Sequence, residues 1–428
     1  MPSDTMTERP TGPDRSFKGT GFIRLWSGET ASLAGAEISF MAMSLTAVIT
    51  LSASPLQMGI LEACESLAVL FLGLSVGVWT DRYDRRRLML AANLGRCLAL
   101  LVVPVGFWFG FLSMPVLYAV VFVVGALTLL FDSSMSAYLP TLVGKSLLTR
   151  ANSWMEASRS VGTVAGPGVA GLLVQVISAP LALLVDAVSY LVSWFTLAGL
   201  PRKPPAQRPA DEPEVSHFRD IGHGLRFLWS DRIQRPMVLA ATHFNIFHAA
   251  FFAVYTLYVL RVLHFSPALF GVMSMAGGAA GLLGAVVTQR VTDRLGYGPT
   301  LILVYATPAV SALFVPLASS TGNTVGAAFL VATGIFSWTF AVIINLVVSE
   351  TIKQSLVPDA LLGRVTATIR FISWGIQPLG AVLGGALGGA IGLGRTMLIA
   401  AVGLLTSALW PLFSPVRDVR TLPADSDE

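Results

Sequence analysis

Of 428 residues, 54% are hydrophobic and only 12% are charged, about half the roughly 25% charged share of soluble domains. So few charges cannot cover a water-soluble chain of this length, whereas a surface that faces lipid must itself be apolar. The formal net charge of +4 invites a nucleic-acid partner, which the placement of the charges excludes.

Residues 1–21 are polar and charged, with no apolar stretch leading to a small-residue cleavage site, and read as a tail rather than a signal peptide. Apolar runs then predict helices over 22–51, 55–79, 88–111, 115–139, 152–177 and 180–200. A polar linker over 201–235 opens with Pro201-Arg202-Lys203-Pro204-Pro205. From Phe218 to Trp229 its apolar residues share one helical face beside Arg219 and Arg226, which suits either a surface helix or a plain connector. Six more runs follow over 236–262, 267–290, 299–319, 323–349, 364–391 and 395–415, inside a second bundle bounded by 236–416, with a tail over 417–428. The expected fold is all-α and integral to the membrane: twelve transmembrane helices in two six-helix bundles, 22–200 and 236–416. Cys64 and Cys97 both fall within apolar runs and read as packing residues.

Of the 28 Lys and Arg residues, Arg96, Arg159 and Arg370 lie within spans, and Arg261 and Arg395 lie at one set of loops. The remaining 23 occupy the tails and the alternate loops. Positive residues are retained on the cytoplasmic side, so both termini are expected there, in a bacterial cytoplasmic membrane. The basic balance is topological and implies no nucleic-acid partner.

The two halves repeat. Asp81-Arg82 after the second run matches Asp293-Arg294 after the eighth, at an offset of 212. Asp132 stands eight residues before Pro140, and Glu350 eight before Pro358, at an offset of 218. Arg150 matches Arg364 at an offset of 214. Such duplicated bundles hold their site between the halves near the midplane.

The loop from Gly77 through Asp81 and Arg82 to Asp84, Arg85, Arg86 and Arg87 resembles the G-x-x-x-D-R-x-G-R-R signature of the major facilitator superfamily. Asp84 replaces the second glycine, as in the drug:proton antiporter branch that contains macrolide and enterobactin exporters. Gly162, Gly166, Pro167 and Gly171 resemble the antiporter motif G-x-x-x-G-P-x-x-G-G of the fifth helix, with Ala170 in place of one glycine. The resemblance covers about residues 22 to 415. It implies alternating access, and a latch that shuts the cytoplasmic side in the outward-open state. Physically, Gly77 allows close helix approach, and Asp81 is placed to cap the positive end of the eleventh helix. Asp132 could pair with Arg82 or Arg85, and Glu350 with Arg294, next to Asp293. Such partly hydrated pairs are weak enough to break. The alternative is that these charges serve insertion topology alone.

Ionisable residues at membrane depth each call for an explanation. Glu37 lies near the middle of the first helix, which lines the central cavity in the family that the chain resembles. It is the first candidate for proton coupling or for a cationic substrate, against a buried carboxylate paired with Arg96 or Arg370. Glu62 and Glu65, one turn apart, could share a proton or face an outer vestibule. Glu156 and Arg159 should neutralise one another, and Asp186 suits packing or capping. Arg96, Arg159 and Arg370 could contact an anionic substrate or balance a carboxylate. His243, Asn245 and His248 suggest polar contacts, either in the cavity or between helices, and Trp338 and Trp374 could line an apolar cavity.

Gly144-Lys145-Ser146 is not a phosphate loop, because Leu139 stands where the first glycine is required. No ATP and no cofactor are therefore expected, and the proton gradient is the expected energy source. One proton crossing roughly 100 mV supplies about 2.3 kcal/mol, which exceeds the about 1.4 kcal/mol of a tenfold solute gradient. The expected function is proton-coupled export of a small hydrophobic or amphipathic compound such as an antibiotic, drug or siderophore. Uptake of a polar nutrient by the same fold is the alternative, and a non-transporting sensor or enzyme is a remote one. The expected partners are that small molecule and the lipid bilayer, with a monomer as the default for the fold.

Overall fold

A computed structural model describes residues 17, 20–201 and 225–422, leaving aside the side chains of residues 69, 73, 74, 78, 81, 359 and 360. Its first half runs α1 (Phe22–Leu45), α2 (Pro55–Arg82), α3 (Arg85–Phe109), α4 (Met114–Val143), α5 (Lys145–Ile177) and α6 (Ala179–Ala198). The second runs α7 (Gln234–Arg261), α8 (Pro267–Leu295), α9 (Tyr297–Leu317) and α10 (Thr324–Leu356). Its eleventh span is α11 (Asp359–Gly375) and α12 (Gln377–Ile391), and its twelfth is α13 (Leu393–Ser407) and α14 (Leu409–Leu412). No strand occurs among the described residues, and twelve helices are long and apolar enough to cross a membrane. In hydrocarbon the helix keeps every backbone group paired, so an apolar run of this length has no other outcome.

The apolar runs end where the helices end on only one face of the molecule. On the face remote from the termini, observed and expected ends agree within about two residues, as at Thr50, where a π-helical turn (Thr46–Thr50) completes the first span, and at Pro55, Ile177, Pro267 and Ile391. On the face where Phe22 and Val416 lie, here the terminal face, several helices continue beyond the apolar run. Thus α5 starts at Lys145 rather than 152, α10 ends at Leu356 rather than 349, and α11 starts at Asp359 rather than 364. Hydropathy marks where lipid ends, whereas a helix ends where its backbone is capped. Asp84, for instance, accepts from the Arg87 amide at 3.1 Å and starts α3. Gly144, at φ 75°, supplies the sharp turn between α4 and α5. The linker from 202 to 224 lies outside the described residues; a short helix over 225–230 follows, anchored by buried Leu228 against Val238, Val357 and Val365.

The same pairing scheme builds both halves. In the first, α1 packs on α5 and α6, α2 on α4, and α3 on α4 and α6. In the second, α7 packs on α12 and α13, α8 on α10, and α9 on α10 and α13. The halves join along two seams, α5 with α8 and α2 with α12.

These seams are built from small residues on the remote half of each helix. At one, Gly171 lies on Pro267 and Gly271; at the other, Gly385 lies on Pro55 and Gly59. Arg261 adds a clasp on the remote face, donating to the Val48 carbonyl at 3.2 Å. Towards the terminal face the seams part: a Cβ added to Gly77 or Gly363 meets nothing within 4 Å among the described residues. The space between the halves therefore opens to the terminal face.

Candidate functional site

Glu37 stands on α1 over the glycine face of α5. Its Cβ lies 2.5 Å from where a Cβ on Gly166 would stand, and its Cγ lies 3.7 Å from the same point on Gly162. Thr163 Oγ1 donates to Glu37 Oε1 at 3.0 Å. The other face of α5 meets the second half: a Cβ on Gly278 of α8 would stand only 2.6 Å from the Thr163 carbonyl oxygen and the Val164 Cα, and one on Gly168 would meet Met275. The small residues of the fifth-helix motif thus serve two surfaces: Gly166 and Gly162 lie under the Cβ and Cγ of Glu37, while Gly168 and Gly171 face the second half. Pro167 presents its carbonyl to Gly271. A change in the charge of Glu37 is one helix diameter from the seam that must open for the remote face to be reached.

On α2, Gly59, Ala63, Ser66 and Leu70 face the second half, and Ala68 faces Gly125 of α4. Glu62 and Glu65 lie between these two faces of the helix, Glu62 half-buried and Glu65 exposed. Neither carboxylate has a hydrogen-bond or ion-pair partner among the described residues. Beside them a chain of amides crosses between the halves. Ser66 Oγ donates to Gln377 Oε1 at 3.4 Å, Gln377 Nε2 to Asn245 Oδ1 at 3.3 Å, and Asn245 Nδ2 to the Ser373 carbonyl at 2.7 Å. This chain sits at the break in the eleventh span, where Pro378 has no amide hydrogen to continue the helix. Arg370 and Trp374 lie together on the exposed side of α11, with the guanidinium 5.7 Å from the ring centre.

Arg96 is placed differently from the cavity role considered above. It is buried inside the first bundle, between the rings of Phe131 at 4.4 Å and Tyr190 at 4.2 Å. Its guanidinium donates to Asn93 Oδ1 and to Thr128 Oγ1, and Nε has no partner. Glu29 of α1 is buried close by, with Oε2 unpartnered, and Arg96, Asp132 and Arg159 act on it electrostatically. Asp186, fully buried on α6, accepts from Ser189 at 2.9 Å and packs on Gly35. Glu29 escaped the sequence reading because it stands only one or two turns into the first run, where a carboxylate passes for part of the polar tail. The nearest signal was its place in the polar series Ser27, Glu29, Thr30 and Ser32, interrupting an apolar run.

The terminal-face charges are arranged otherwise than the pairing considered from sequence. Arg85 donates to the Ala137 carbonyl of α4 at 2.9 Å, while Asp132 is exposed. Arg82 is exposed, without an ion pair among the described residues; the side chain of Asp81 lies outside them. Glu350 pairs within its own helix, with Lys353 at 2.7 Å and Gln354 at 3.1 Å, rather than with Arg294. Lys353 is nearly buried, so it requires the nearest carboxylate, and i,i+3 spacing supplies one. Asp293 and Arg294 are exposed at the end of α8, with Asp293 beside Arg420 in a hollow of about 490 Å³. Arg159 and Glu156 meet at 3.9 Å, both exposed.

His243 ties α7 to the twelfth span. Its Nε2 reaches the Gly403 carbonyl and Thr406 Oγ1, both at 3.0 Å, and its Nδ1 accepts from Trp410 Nε1 at 3.3 Å. His248 lies among Phe244, Phe252 and Trp338, with ring centres 4.7 to 5.6 Å away. Cys64 and Cys97 are free thiols.

Twelve apolar helices in two like bundles, parted on one face around carboxylates and amides, define a polytopic membrane transporter. The sequence profile of the Major Facilitator Superfamily matches residues 25–376, and the chain belongs to that family. It is 25% identical over 425 residues to the multidrug efflux pump Tap of Mycobacterium tuberculosis, covering 96% of this chain and 98% of that one. It is 21% identical over 398 residues to the macrolide efflux protein A of Streptococcus pyogenes, covering 92% and 96%. Among solved structures, a bacterial homologue of the iron transporter ferroportin, in an inward-facing state, shares the fold. The TM-score is 0.70 at 15% identity, over 92% of this chain and 98% of that one.

Proposed function

We propose that this transporter exports a small hydrophobic or amphipathic organic compound across a bacterial cytoplasmic membrane in exchange for protons. The observation that carries the reading is the placement of Glu37, held by Thr163 against the two glycines of α5 whose opposite face seals the seam with α8. A proton on that carboxylate removes its charge and weakens the Thr163 bond, and either change alters how α1 lies on α5. Glu62 and Glu65 are the second proton candidates. The relationship to Tap and to the macrolide efflux protein supports the export direction and the substrate class. The excess of Lys and Arg on the terminal face supports termini in the cytoplasm, which makes the present state inward-open. The transporter then works as a monomer, without ATP or cofactor.

The test uses inside-out vesicles carrying the full chain and a panel of antibiotics, dyes and siderophores, with and without a protonophore, for wild type and Glu37→Gln. Protonophore-sensitive accumulation that the variant loses is the expected result. Accumulation that persists in the variant moves coupling to Glu62 or Glu65. Transport of a polar nutrient seen only in right-side-out vesicles overturns export in favour of uptake.

A further inference from the structure

Between the start of α7 and the end of the twelfth span, on the outer surface of the second bundle, a groove of about 720 Å³ opens at the terminal face. Its wall is apolar: Leu239 and Pro236 on one side, Leu409, Trp410 and Phe413 on the other. Phe413 is 77% exposed, so this wall faces the hydrocarbon. Its mouth carries Arg232 and Arg235, both exposed and neither in an ion pair among the described residues. The adjacent carboxylate of Asp231 is engaged in accepting from the amides of Ile233 and Gln234 at 2.8 and 2.7 Å. That bond also caps α7, so an anion here would be met by the two guanidinium groups rather than by the helix end. The groove is shaped as well as charged, because Trp410 is fixed by its bond to His243.

We propose that this groove binds one anionic phospholipid of the surrounding bilayer, with the phosphodiester on Arg232 and Arg235 and an acyl chain along Leu239, Trp410 and Phe413. A polar and cationic rim over an apolar wall that faces lipid matches an amphiphile of that charge, and an arginine fork matches its phosphate. The inference does not depend on the direction of transport or on Glu37.

The experiment uses the purified full chain in detergent, titrated with phosphatidylglycerol, with phosphatidylcholine of the same acyl chains, and with inorganic phosphate. Retained lipid is read by native mass spectrometry and stability by thermal unfolding. Phosphatidylglycerol is expected to stay bound and to raise Tm, while phosphatidylcholine and free phosphate do neither. Arg232→Ala/Arg235→Ala should weaken retention roughly tenfold or more, whereas Arg290→Ala/Arg294→Ala, on the same face but outside the groove, should leave it unchanged. Brominated phosphatidylglycerol should quench wild-type fluorescence by an increment that Trp410→Phe loses. Equal retention of both lipids, equal loss in both double variants, or quenching unaffected by Trp410→Phe would each overturn the assignment. A Tm rise with inorganic phosphate alone would reduce the site to an anion site without a lipid.

Discussion

The carbonyl of Pro267 occupies the place where a Cβ on Gly171 would stand, and two hundred residues away Pro55 does the same to Gly385. The two contacts are one contact made twice. Ser54 and Pro55 open α2 as Ser266 and Pro267 open α8, each with a glycine four residues on, Gly59 and Gly271. The seam at α5 with α8 and the seam at α2 with α12 therefore close together or part together. A valine at Gly171 cannot be accommodated without moving backbone. Overpacking of this kind costs about 1–3 kcal/mol, so the population of the state closed on the remote face should fall roughly five- to a hundredfold. The check is thiol reactivity at Ala63→Cys, which is buried between the halves against Ala249, Ala253 and Ala381, in a background with Cys64 and Cys97 replaced by serine: Gly171→Val should raise it strongly, and Gly385→Val should match it. A change confined to one variant would mean that the seams are independent.

Thr163 gives the second prediction. Its hydroxyl is the partner of Glu37 found at 3.0 Å, on the same stretch of α5 that touches Gly278. Thr163→Val keeps the shape and removes the bond. A hydrogen bond to a charged group contributes about 1.5–3 kcal/mol when buried, and less here because the pair is partly open to water. Proton-coupled transport should drop roughly three- to tenfold, with membrane expression unchanged, and Thr163→Ser should restore most of it. Equal transport by Thr163→Val and wild type would detach this bond from coupling.

Much of this was legible in sequence, for a reason that also sets its limit. Lipid imposes length and apolarity on each span, so twelve runs, their remote ends and the repeat offsets could be read directly. Lipid imposes nothing on the terminal-face ends, and there the helices outran the apolar runs, at Lys145 and Leu356 most of all. The glycines of α5 could be recognised as a packing device, but which of them faces α1 and which faces α8 is a rotation about the helix axis that only the neighbours define. His243 could not be assigned either, since its partners Gly403, Thr406 and Trp410 lie some 160 residues on. Nor could the sequence show that a buried Lys353 three residues away holds Glu350 in this state; the pairing expected with Arg294 belongs to the state shut on the terminal face.

Asn245 supplies a third prediction. It holds the Ser373 carbonyl at the break of the eleventh span and links through Gln377 to Ser66 of the other half. Asn245→Ala leaves a carbonyl unpaired and cuts the chain of amides. Expected are a lowered Tm and an altered substrate profile at comparable expression. Asn245→Asp keeps an acceptor for Gln377 but loses the donor, and should resemble the alanine variant. Recovery in Asn245→Asp would show that the bond to Gln377, not that to Ser373, is the one that matters.

Arg96 carries the last prediction. It is the only basic side chain buried within the membrane-depth part of the first bundle among the described residues, held between Phe131 and Tyr190 with Glu29 and Asp186 as buried acidic neighbours. Removing one member of such a set leaves uncompensated charge in a low-dielectric interior, at a cost of about 3–5 kcal/mol. Arg96→Ala should therefore lose most of its folded, monodisperse protein in detergent. Arg96→Lys should rescue it poorly, since an ammonium cannot stack flat between two rings while reaching Asn93 and Thr128. The double variant Glu29→Gln/Arg96→Met removes charge of both signs and keeps volume, and it should recover stability relative to Arg96→Met alone by more than Glu29→Gln changes the wild type. The measurement is a double-mutant cycle read by thermal unfolding. A coupling indistinguishable from zero would mean that Glu29 and Arg96 do not balance one another, and that the guanidinium is held by its rings and hydrogen bonds alone.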